Sequence, residues 1–283
     1  MHAHTPKLLV LASKNDLSVK RLIEEAKKIT SVQYFLYDDI FSKALPIPDL
    51  PSGEDVILLA RQPYVANQAE QNFDALLKII LDSYTFKKVF DSKLYKQSFI
   101  RYEDKLFQSF LFEQLKIPYA ALWDISQPDT ITYPLIAKKR LSSRHTANYV
   151  LYNSQDLEAF RIKFNSEQYI FQTFFPLKGD YRVLVCKGEI LGVVARDAWL
   201  EEDNKTNVKV RETAELPAQI LRQAIQVSEV VGCDLCGIDI GEKENGEFFF
   251  IEYNPSPQFL GFERVTKKNI SKTIILSILQ QAK

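Results

Sequence analysis

The chain has 283 residues, of which 46% are hydrophobic, enough to fill a sizeable core. Its 36 basic and 36 acidic side chains balance, so it lacks the basic excess typical of proteins that mainly hold nucleic acid. The apolar runs are too short to cross a bilayer, and the first residues lack the features of a secretion signal. We therefore expect a cytoplasmic protein with no membrane or nucleic-acid partner.

The first part of the chain alternates short apolar runs with helical patterns, which is typical of a small α/β unit. Strands are predicted at 7–12, 33–36 and 55–60, with one helix after the first of them and another over about 67–81. A proline-rich loop separates the second and third strands. We predict an N-terminal α/β domain over residues 1–88.

The rest of the chain is predicted to be mixed α+β in two further parts. Residues 89–166, the central part, are predicted to hold helices over 91–116 and 154–164 and strands at 133–138 and 147–152. Ser154 is the predicted cap of the later helix. Residues 167–283, the C-terminal part, are mostly sheet, with strands at 169–174, 181–186, 190–196, 235–240 and 247–252 and helices over 217–231 and 268–280.

A CxxC pair, Cys233 and Cys236, is compatible with zinc binding or redox chemistry. The chain has no second CxxC pair, and its three histidines lie far from Cys233 and Cys236 in sequence. Alternating apolar residues surround both cysteines, so we interpret them as small core residues.

The segment 235–254 carries the strongest chemical signal. Asp239 lies inside an apolar strand, and an Asn-Gly turn leads to a second strand with Glu252 and Asn254. Residues spaced by two face the same way, and Asp239 can lie beside Glu252 across the hairpin. Two such carboxylates repel each other unless a cation joins them, and carboxylate and amide oxygens suit Mg²⁺ bound with phosphates. The alternative is that these side chains end two surface strands and face water.

The sequence GIDI, followed by a hairpin and IEYNPSP, resembles the C-terminal signature of the ATP-grasp superfamily, particularly the RimK-like carboxylate–amine ligases. The resemblance implies an ATP-grasp fold, in which the N-terminal α/β domain precedes two α+β subdomains that sandwich ATP. It implies ATP and Mg²⁺ (or Mn²⁺) as cofactors and assigns the metal to Asp239, Glu252 and Asn254. Recognisable landmarks run from about residue 90 to residue 265.

The same resemblance assigns further residues to the nucleotide. They are Lys105 and Lys138 for the phosphates, Thr173 and Phe174 for the adenine hinge, Asp180 for the ribose, and Lys205 and Asn207 near the phosphates and metal. The family usually has an acidic residue where Thr173 stands, so its side chain is expected to help the adenine amino group less. Taken singly, each lysine could be a solvated surface residue, and Phe174 could belong to the core.

Arg182 and Arg196, on successive strands, are the candidate catalytic residues. A guanidinium group binds carboxylate or phosphate oxygens bidentately and could steady the substrate acid and the phosphoryl group as charge moves. Either arginine could equally serve a surface strand.

The stretch 139–146 departs from the resembled family. ATP-grasp proteins commonly close the γ-phosphate under a glycine-rich loop here, whereas this stretch has no glycine. Backbone amides can still cradle phosphate, and Ser143, Arg144 or His145 could add contacts.

The implied function is an ATP-dependent carbon–nitrogen ligase that joins a carboxylate to an amine through an acyl phosphate. The partners would be ATP, a carboxylate substrate and an amine on a small molecule, a peptide or a protein tail, and homo-oligomers are frequent in the family. Two alternatives stay open. One is an ATP-grasp kinase that phosphorylates an alcohol. The other is a catalytically degenerate ATP-binding regulator or scaffold, favoured by the glycine-free stretch and by Thr173.

Overall fold

The structure is a computed structural model, and it describes residues 6–42, 46–47, 49–61, 68–95, 103–141, 148–200 and 206–280. Within these ranges the strands form a four-stranded, a three-stranded and a five-stranded sheet. Helices cover the sheets, so the chain is mixed α/β and α+β as predicted.

The N-terminal sheet is parallel, with strand order β2-β1-β3-β4. Its strands are β1 (Lys7–Ala12), β2 (Val32–Leu36), β3 (Gly53–Ala60) and β4 (Phe86–Val89), and its helices are α1 (Leu17–Ala26), α2 (Tyr37–Ser42) and α3 (Gln68–Ser83). The central strands β1 and β3 are apolar and buried along most of their length, as parallel strands covered on both faces are.

The predicted order of strand, helix, strand, strand and helix in this unit is confirmed. The prediction missed α2 and β4. The first has only six residues, and the second is an edge strand of four residues that includes two lysines. Neither is long enough to show a clear hydrophobic period.

The central sheet is antiparallel, with strand order β6-β5-β7. It follows helices α4 (Ser92–Tyr95) and α5 (Lys105–Gln114) and comprises β5 (Leu135–Lys139), β6 (Asn148–Leu151) and β7 (Tyr169–Thr173), with α6 (Ser154–Lys163) between the last two. The predicted cap of α6 is wrong by one residue: Asn153 is the cap, and its side chain accepts a hydrogen bond from the Asp156 amide at 2.9 Å. Asn153 has the extended backbone that a cap requires, whereas Ser154 is already helical.

The C-terminal sheet is antiparallel, with strand order β10-β9-β8-β11-β12. Its strands are β8 (Leu177–Cys186), β9 (Glu189–Leu200), β10 (Thr206–Thr213), β11 (Leu235–Lys243) and β12 (Phe248–Asn254). Helix α7 (Ala218–Val231) packs on one face, and α8 (Leu260–Thr266) and α9 (Ile270–Gln280) pack on the other. The strands β8 and β9 are longer than predicted, and the prediction missed β10, a polar strand at the sheet edge.

A shared core joins the N-terminal unit to the C-terminal sheet. Leu22 of α1 and Ile274 of α9 belong to the same buried cluster as Leu184 of β8. The three cysteines are free and buried, which confirms the interpretation of the CxxC pair as core. Within the described ranges, no helix has both the length and the apolar character needed to span a membrane. The domain boundaries at residues 88 and 166 stay a prediction; β7, after the second boundary, pairs with β5.

Candidate nucleotide and metal site

The hairpin β11–β12 places the predicted metal ligands side by side. Asp239 lies directly opposite Glu252 on one side and opposite Arg182 of β8 on the other. The pairing with β12 shifts register immediately after Asp239, and such β-bulges are frequent next to active sites because they redirect side chains. Asn254 lies two residues beyond Glu252, opposite Gly237, and its Oδ1 accepts a hydrogen bond from the Ser256 amide at 3.0 Å.

Gly237 allows the segment after β12 to fold back onto the sheet. A Cβ atom at this position would lie 2.8 Å from Cβ of Pro257 and 3.6 Å from Cδ of Arg182. The close approach of Pro257 therefore requires glycine here. It keeps the Asn-Pro-Ser-Pro segment against the strand that carries Asp239.

Asp239 is the centre of a buried ion-pair network. Its side chain is fully buried and accepts two hydrogen bonds from Arg182, from Nε at 2.5 Å and from Nη2 at 2.6 Å. Arg196 donates a third, from Nη1 at 3.0 Å, and also binds the carboxylate of Asp180. Burial alone would lower the pKa of Arg182, but Asp239 raises it above its usual value. The hydrogen bonds to Asp239 and Asp180 thus hold both guanidinium groups in a fixed orientation.

Two lysines reach Glu252 from the central part of the chain. Lys105 is the first residue of α5, and its Nζ lies 3.7 Å from Oε2 of Glu252. Lys138 lies near the end of β5, and burial lowers its pKa to about 8; Lys105 lowers it further, while Glu252 opposes the shift. Lys138 belongs to the central sheet and Glu252 to the C-terminal sheet, so the site lies between these two sheets, beside the start of α5.

The assembled cluster favours an anionic ligand. It contains four cationic side chains, Lys105, Lys138, Arg182 and Arg196, and four carboxyl groups, Asp180, Asp239, Glu252 and Glu103. Burial raises the pKa of Glu103 to about 7, so this carboxyl is only partly ionised at neutral pH. Like charges at short range in a low-dielectric environment are costly unless counter-ions offset them. A polyphosphate brought in with a divalent cation would satisfy this balance.

The donor set fits Mg²⁺ held jointly with phosphates. Asp239 and Glu252 supply carboxylates and Asn254 supplies an amide oxygen, and all are hard ligands. In this arrangement both oxygens of Asp239 accept from Arg182 or Arg196, so metal binding by Asp239 requires an arginine to give up its bond. In the described ranges no group of three or more His, Cys, Asp or Glu residues could hold a metal alone, so ligand oxygens would have to complete the coordination. Glu252 is the more accessible carboxylate, with 18% of its side chain exposed against none for Asp239.

The predicted adenine hinge follows the end of β7. Thr173 is the last residue of this strand, and its Oγ1 accepts a hydrogen bond from the indole of Trp123 at 2.9 Å. The amide of Phe174 donates to the carbonyl of Pro134 at 3.0 Å. Because this amide already donates to Pro134, the backbone N–H of Phe174 is not available as a donor to adenine in this arrangement.

Other assigned residues are placed differently or lie outside the description. The carboxylate of Asp180 is bound by Arg196, so the structure gives it a protein partner where the resemblance implied a ribose. Burial and the charge of Asp239 raise the pKa of Asp180, and Arg196 opposes this shift. Lys205 and the residues of the glycine-free stretch from 142 to 146 lie outside the described residues, as does the side chain of Asn207, whose backbone pairs with Trp199 in β10 and β9.

Glu103, which interacts electrostatically with Lys105 and Glu252, was not predicted from the sequence. Burial raises its pKa to about 7, and the charge of Glu252 adds to this, while Lys105 opposes it. No hydrophobic pattern or motif marks this position in the sequence.

A group of buried polar side chains that was not predicted from the sequence holds the segment after Asn254. Arg61 pairs with Asp16 at 2.9 Å with both side chains buried, and it donates to the carbonyl of Pro257 at 3.0 Å. The amide of Gln258 donates to Asp16 at 2.9 Å, and its oxygen accepts from the hydroxyl of Ser18 at 2.7 Å. The segments that follow β1 and β3 are thereby tied to the segment that follows β12. These contacts join residues 196 to 242 positions apart, so spacing in the sequence does not reveal them.

Comparison with known proteins identifies the family. A model of the RimK-like ATP-grasp domain matches residues 121–278, more than half of the chain. The chain therefore belongs to the RimK-like ATP-grasp family, and the predicted family is confirmed.

The similar proteins include mouse beta-citrylglutamate synthase B, 26% identical over 156 residues that cover 53% of this chain and 40% of the relative. Another is a probable alpha-L-glutamate ligase of Marinomonas sp., 31% identical over 106 residues that cover 36% of this chain and 35% of the relative. The chain thus spans 40% of the length of the mouse synthase and 35% of the length of the Marinomonas ligase.

Solved structures match over almost the whole chain. D-cycloserine synthetase DcsG has a TM-score of 0.75 at 12% identity, covering 98% of this chain and 100% of that one. The ATP-grasp ligase PsnB, complexed with a precursor variant, Mg and ADP, has a TM-score of 0.73 at 18% identity, covering 99% of this chain and 100% of that one. These likenesses confirm the predicted ATP-grasp fold.

Proposed function

We propose that the protein is an ATP- and Mg²⁺-dependent carboxylate–amine ligase that forms an amide bond and releases ADP and phosphate. The observation that carries the proposal is the meeting of Lys105 and Lys138 with Glu252 beside the network of Arg182, Asp239 and Arg196. This set offers cations for a polyphosphate and hard oxygens for a divalent ion. The names of the relatives as synthases and ligases support the reaction type.

The roles of the residues follow from their charge and placement. Lys105 and Lys138 would bind phosphate oxygens as point charges. Asp239, Glu252 and Asn254 would hold the magnesium, which, when bound, supplies neutralising charge to the nucleotide phosphates. Arg182 and Arg196, fixed by Asp239 and Asp180, would present oriented N–H groups to the transferring phosphoryl group and the substrate acid.

The reaction needs no nucleophilic side chain. An oxygen of the substrate carboxylate attacks the γ-phosphorus of ATP, the bond to the β-phosphate oxygen breaks, and ADP leaves. The amine then attacks the acyl carbon, and inorganic phosphate leaves as the amide forms with loss of a proton. Catalysis of such transfers depends on positioning and charge neutralisation, which the buried arginine network is suited to provide.

The relatives suggest which substrates to examine first. The name of mouse beta-citrylglutamate synthase B points to citrate and glutamate, and that of a human relative, N-acetylaspartylglutamate synthase A, points to N-acetylaspartate and glutamate. Several structures of similar fold were solved with a precursor peptide. We therefore propose an acid–amine pair in which glutamate is the amine, with peptides as the second class to test.

The test is an assay for ADP and phosphate release with acids added singly and together with glutamate. Hydroxylamine can replace the amine, since it converts an acyl phosphate to a stable hydroxamate. We expect ADP, phosphate and hydroxamate to form in equal amounts with the correct acid, and Arg196→Lys to slow the release. ADP formation with a stable phosphorylated alcohol would instead establish the kinase. Nucleotide binding without turnover across both substrate classes would favour the regulator.

A further inference from the structure

Arg140 lies where three elements of the central part of the chain meet. It follows β5 directly, its amide donates to the carbonyl of Gln168 at 2.8 Å, and its carbonyl accepts from the amide of Lys105 at 3.1 Å. The first contact leads to β7 and the second to the start of α5. One residue therefore connects the strand of Lys138 to the helix that begins with Lys105.

The side chain of Arg140 adds an ion pair to these backbone contacts. Its Nη2 donates to Oδ2 of Asp104 at 2.5 Å, and its Nε lies 3.1 and 3.2 Å from the two carboxylate oxygens. Asp104 is the N-cap of α5, and its Oδ1 also accepts from the amide of Leu106 at 2.9 Å. The guanidinium group thus holds the capping carboxylate that fixes the first turn of the helix, where Lys105 lies.

Stability alone gives a weak reason for this pair. The side chain of Arg140 is 38% exposed, and ion pairs with an exposed partner contribute little to stability because water screens them. The location of the ion pair matters more, because the pair sets the position of α5, which carries Lys105, relative to β5, which carries Lys138. Phosphate binding by two separate cations depends on that position, since a displacement of about 1 Å at such a site can reduce its effectiveness substantially.

We propose that Asp104 and Arg140 form a clamp that positions Lys105 and Lys138 for the nucleotide phosphates. The inference rests on the proposed nucleotide site and adds two positioning residues to it. Neither residue needs to touch the nucleotide. The clamp acts on the phosphate end of the ligand, because α5 starts and β5 ends beside Glu252 and not beside the hinge.

Calorimetric binding of Mg²⁺–ADP, AMP and adenosine to the full chain tests the clamp in three variants. Asp104→Asn keeps a good helix cap but removes the charge of the pair. Arg140→Gln removes the guanidinium, and the double variant removes both. Lys78→Gln, which breaks the exposed pair of Lys78 with Asp82 on α3, is the matched control for loss of one positive charge.

We expect Asp104→Asn and Arg140→Gln each to weaken Mg²⁺–ADP binding about fivefold to thirtyfold and to change adenosine binding less than twofold. The double variant should bind Mg²⁺–ADP no more weakly than the single variant with the lower affinity, because the two residues act as one unit. A general loss of fold would lower adenosine binding equally, and thermal unfolding of each variant checks this separately.

Three results would overturn the clamp. The first is unchanged Mg²⁺–ADP affinity in both single variants, and the second is an equal loss for adenosine and ADP. The third is a loss in Arg140→Gln alone, which would mean that the guanidinium contacts the nucleotide directly. Failure of the wild-type protein to bind any of the three ligands would instead overturn the proposed function on which the clamp rests.

Discussion

The substitution Asp239→Asn tests the network at the centre of the site. Asp239 accepts three guanidinium hydrogen bonds, at 2.5, 2.6 and 3.0 Å, and its side chain is fully buried. Asparagine removes the charge that offsets Arg182 and Arg196, and its NH₂ group must face at least one guanidinium N–H. Removal of one partner of a buried ion pair typically costs about 3–5 kcal/mol, because the other charge stays buried.

We therefore expect the free energy of unfolding to fall by about 3–5 kcal/mol. For a protein of this size each kcal/mol shifts the Tm by about 2–4 °C, so the Tm should fall by about 6–20 °C. Urea unfolding followed by circular dichroism, together with a thermal scan, measures both quantities.

The matched control is Asp197→Asn on β9. Asp197 also pairs with an arginine, Arg211 at 3.1 Å, but the two side chains are about half exposed. Exposed pairs contribute less than about 1 kcal/mol, so this variant should unfold close to the wild type. If the two variants unfold at the same urea concentration, the reasoning that Asp239 is the buried counter-ion of two arginines is refuted.

Three further predictions follow from the site. The pKa of Lys138 is about 8, so its ammonium loses its charge as the pH rises through that value. Calorimetry should therefore show that the affinity for ADP falls above about pH 8. The variant Lys138→Arg, which stays charged, should not show this fall. Arg61→Gln leaves the buried Asp16 without its counter-ion and should lower the free energy of unfolding by about 3–5 kcal/mol in urea. Thr173→Val removes the acceptor of the Trp123 indole and should cost about 1–3 kcal/mol, with a changed tryptophan emission.

Each of these predictions has a contradicting result. ADP affinity that is flat from pH 7 to pH 9.5 would show that the Lys138 charge does not contribute to binding. Wild-type stability in Arg61→Gln would show that the pair with Asp16 does not hold the N-terminal unit to the segment after Asn254. Unchanged stability and emission in Thr173→Val would show that the indole hydrogen bond to Thr173 does not contribute to stability.

The sequence predicted the elements whose patterns are local. The apolar strands β1 and β3 and the hairpin β11–β12 have clear hydrophobic and turn signals, and the pairing of Asp239 with Glu252 follows from them. The family signature lies in the same hairpin, which explains why the family and fold were predicted correctly.

Features that depend on tertiary contacts could not be predicted from these patterns. The contact of Arg140 with Asp104 joins residues 36 positions apart, and that of Arg61 with Pro257 joins residues 196 apart. The partner of Asp180 was also unpredictable, because its alignment with Arg196 depends on the register of β8 and β9. Short or polar edge elements such as β4 and β10 lack the periodicity that identifies a strand.

The most direct test of the central claim is a calorimetric titration of ATP with and without Mg²⁺, on the wild type and on Glu252→Ala. Glu252 is the accessible carboxylate of the proposed metal site and lies 3.7 Å from Lys105. We predict magnesium-dependent binding to the wild type that weakens at least tenfold in the variant, the loss expected for about 1.4 kcal/mol. ATP binding that is absent from both proteins, or that is the same in both with and without magnesium, would contradict the account.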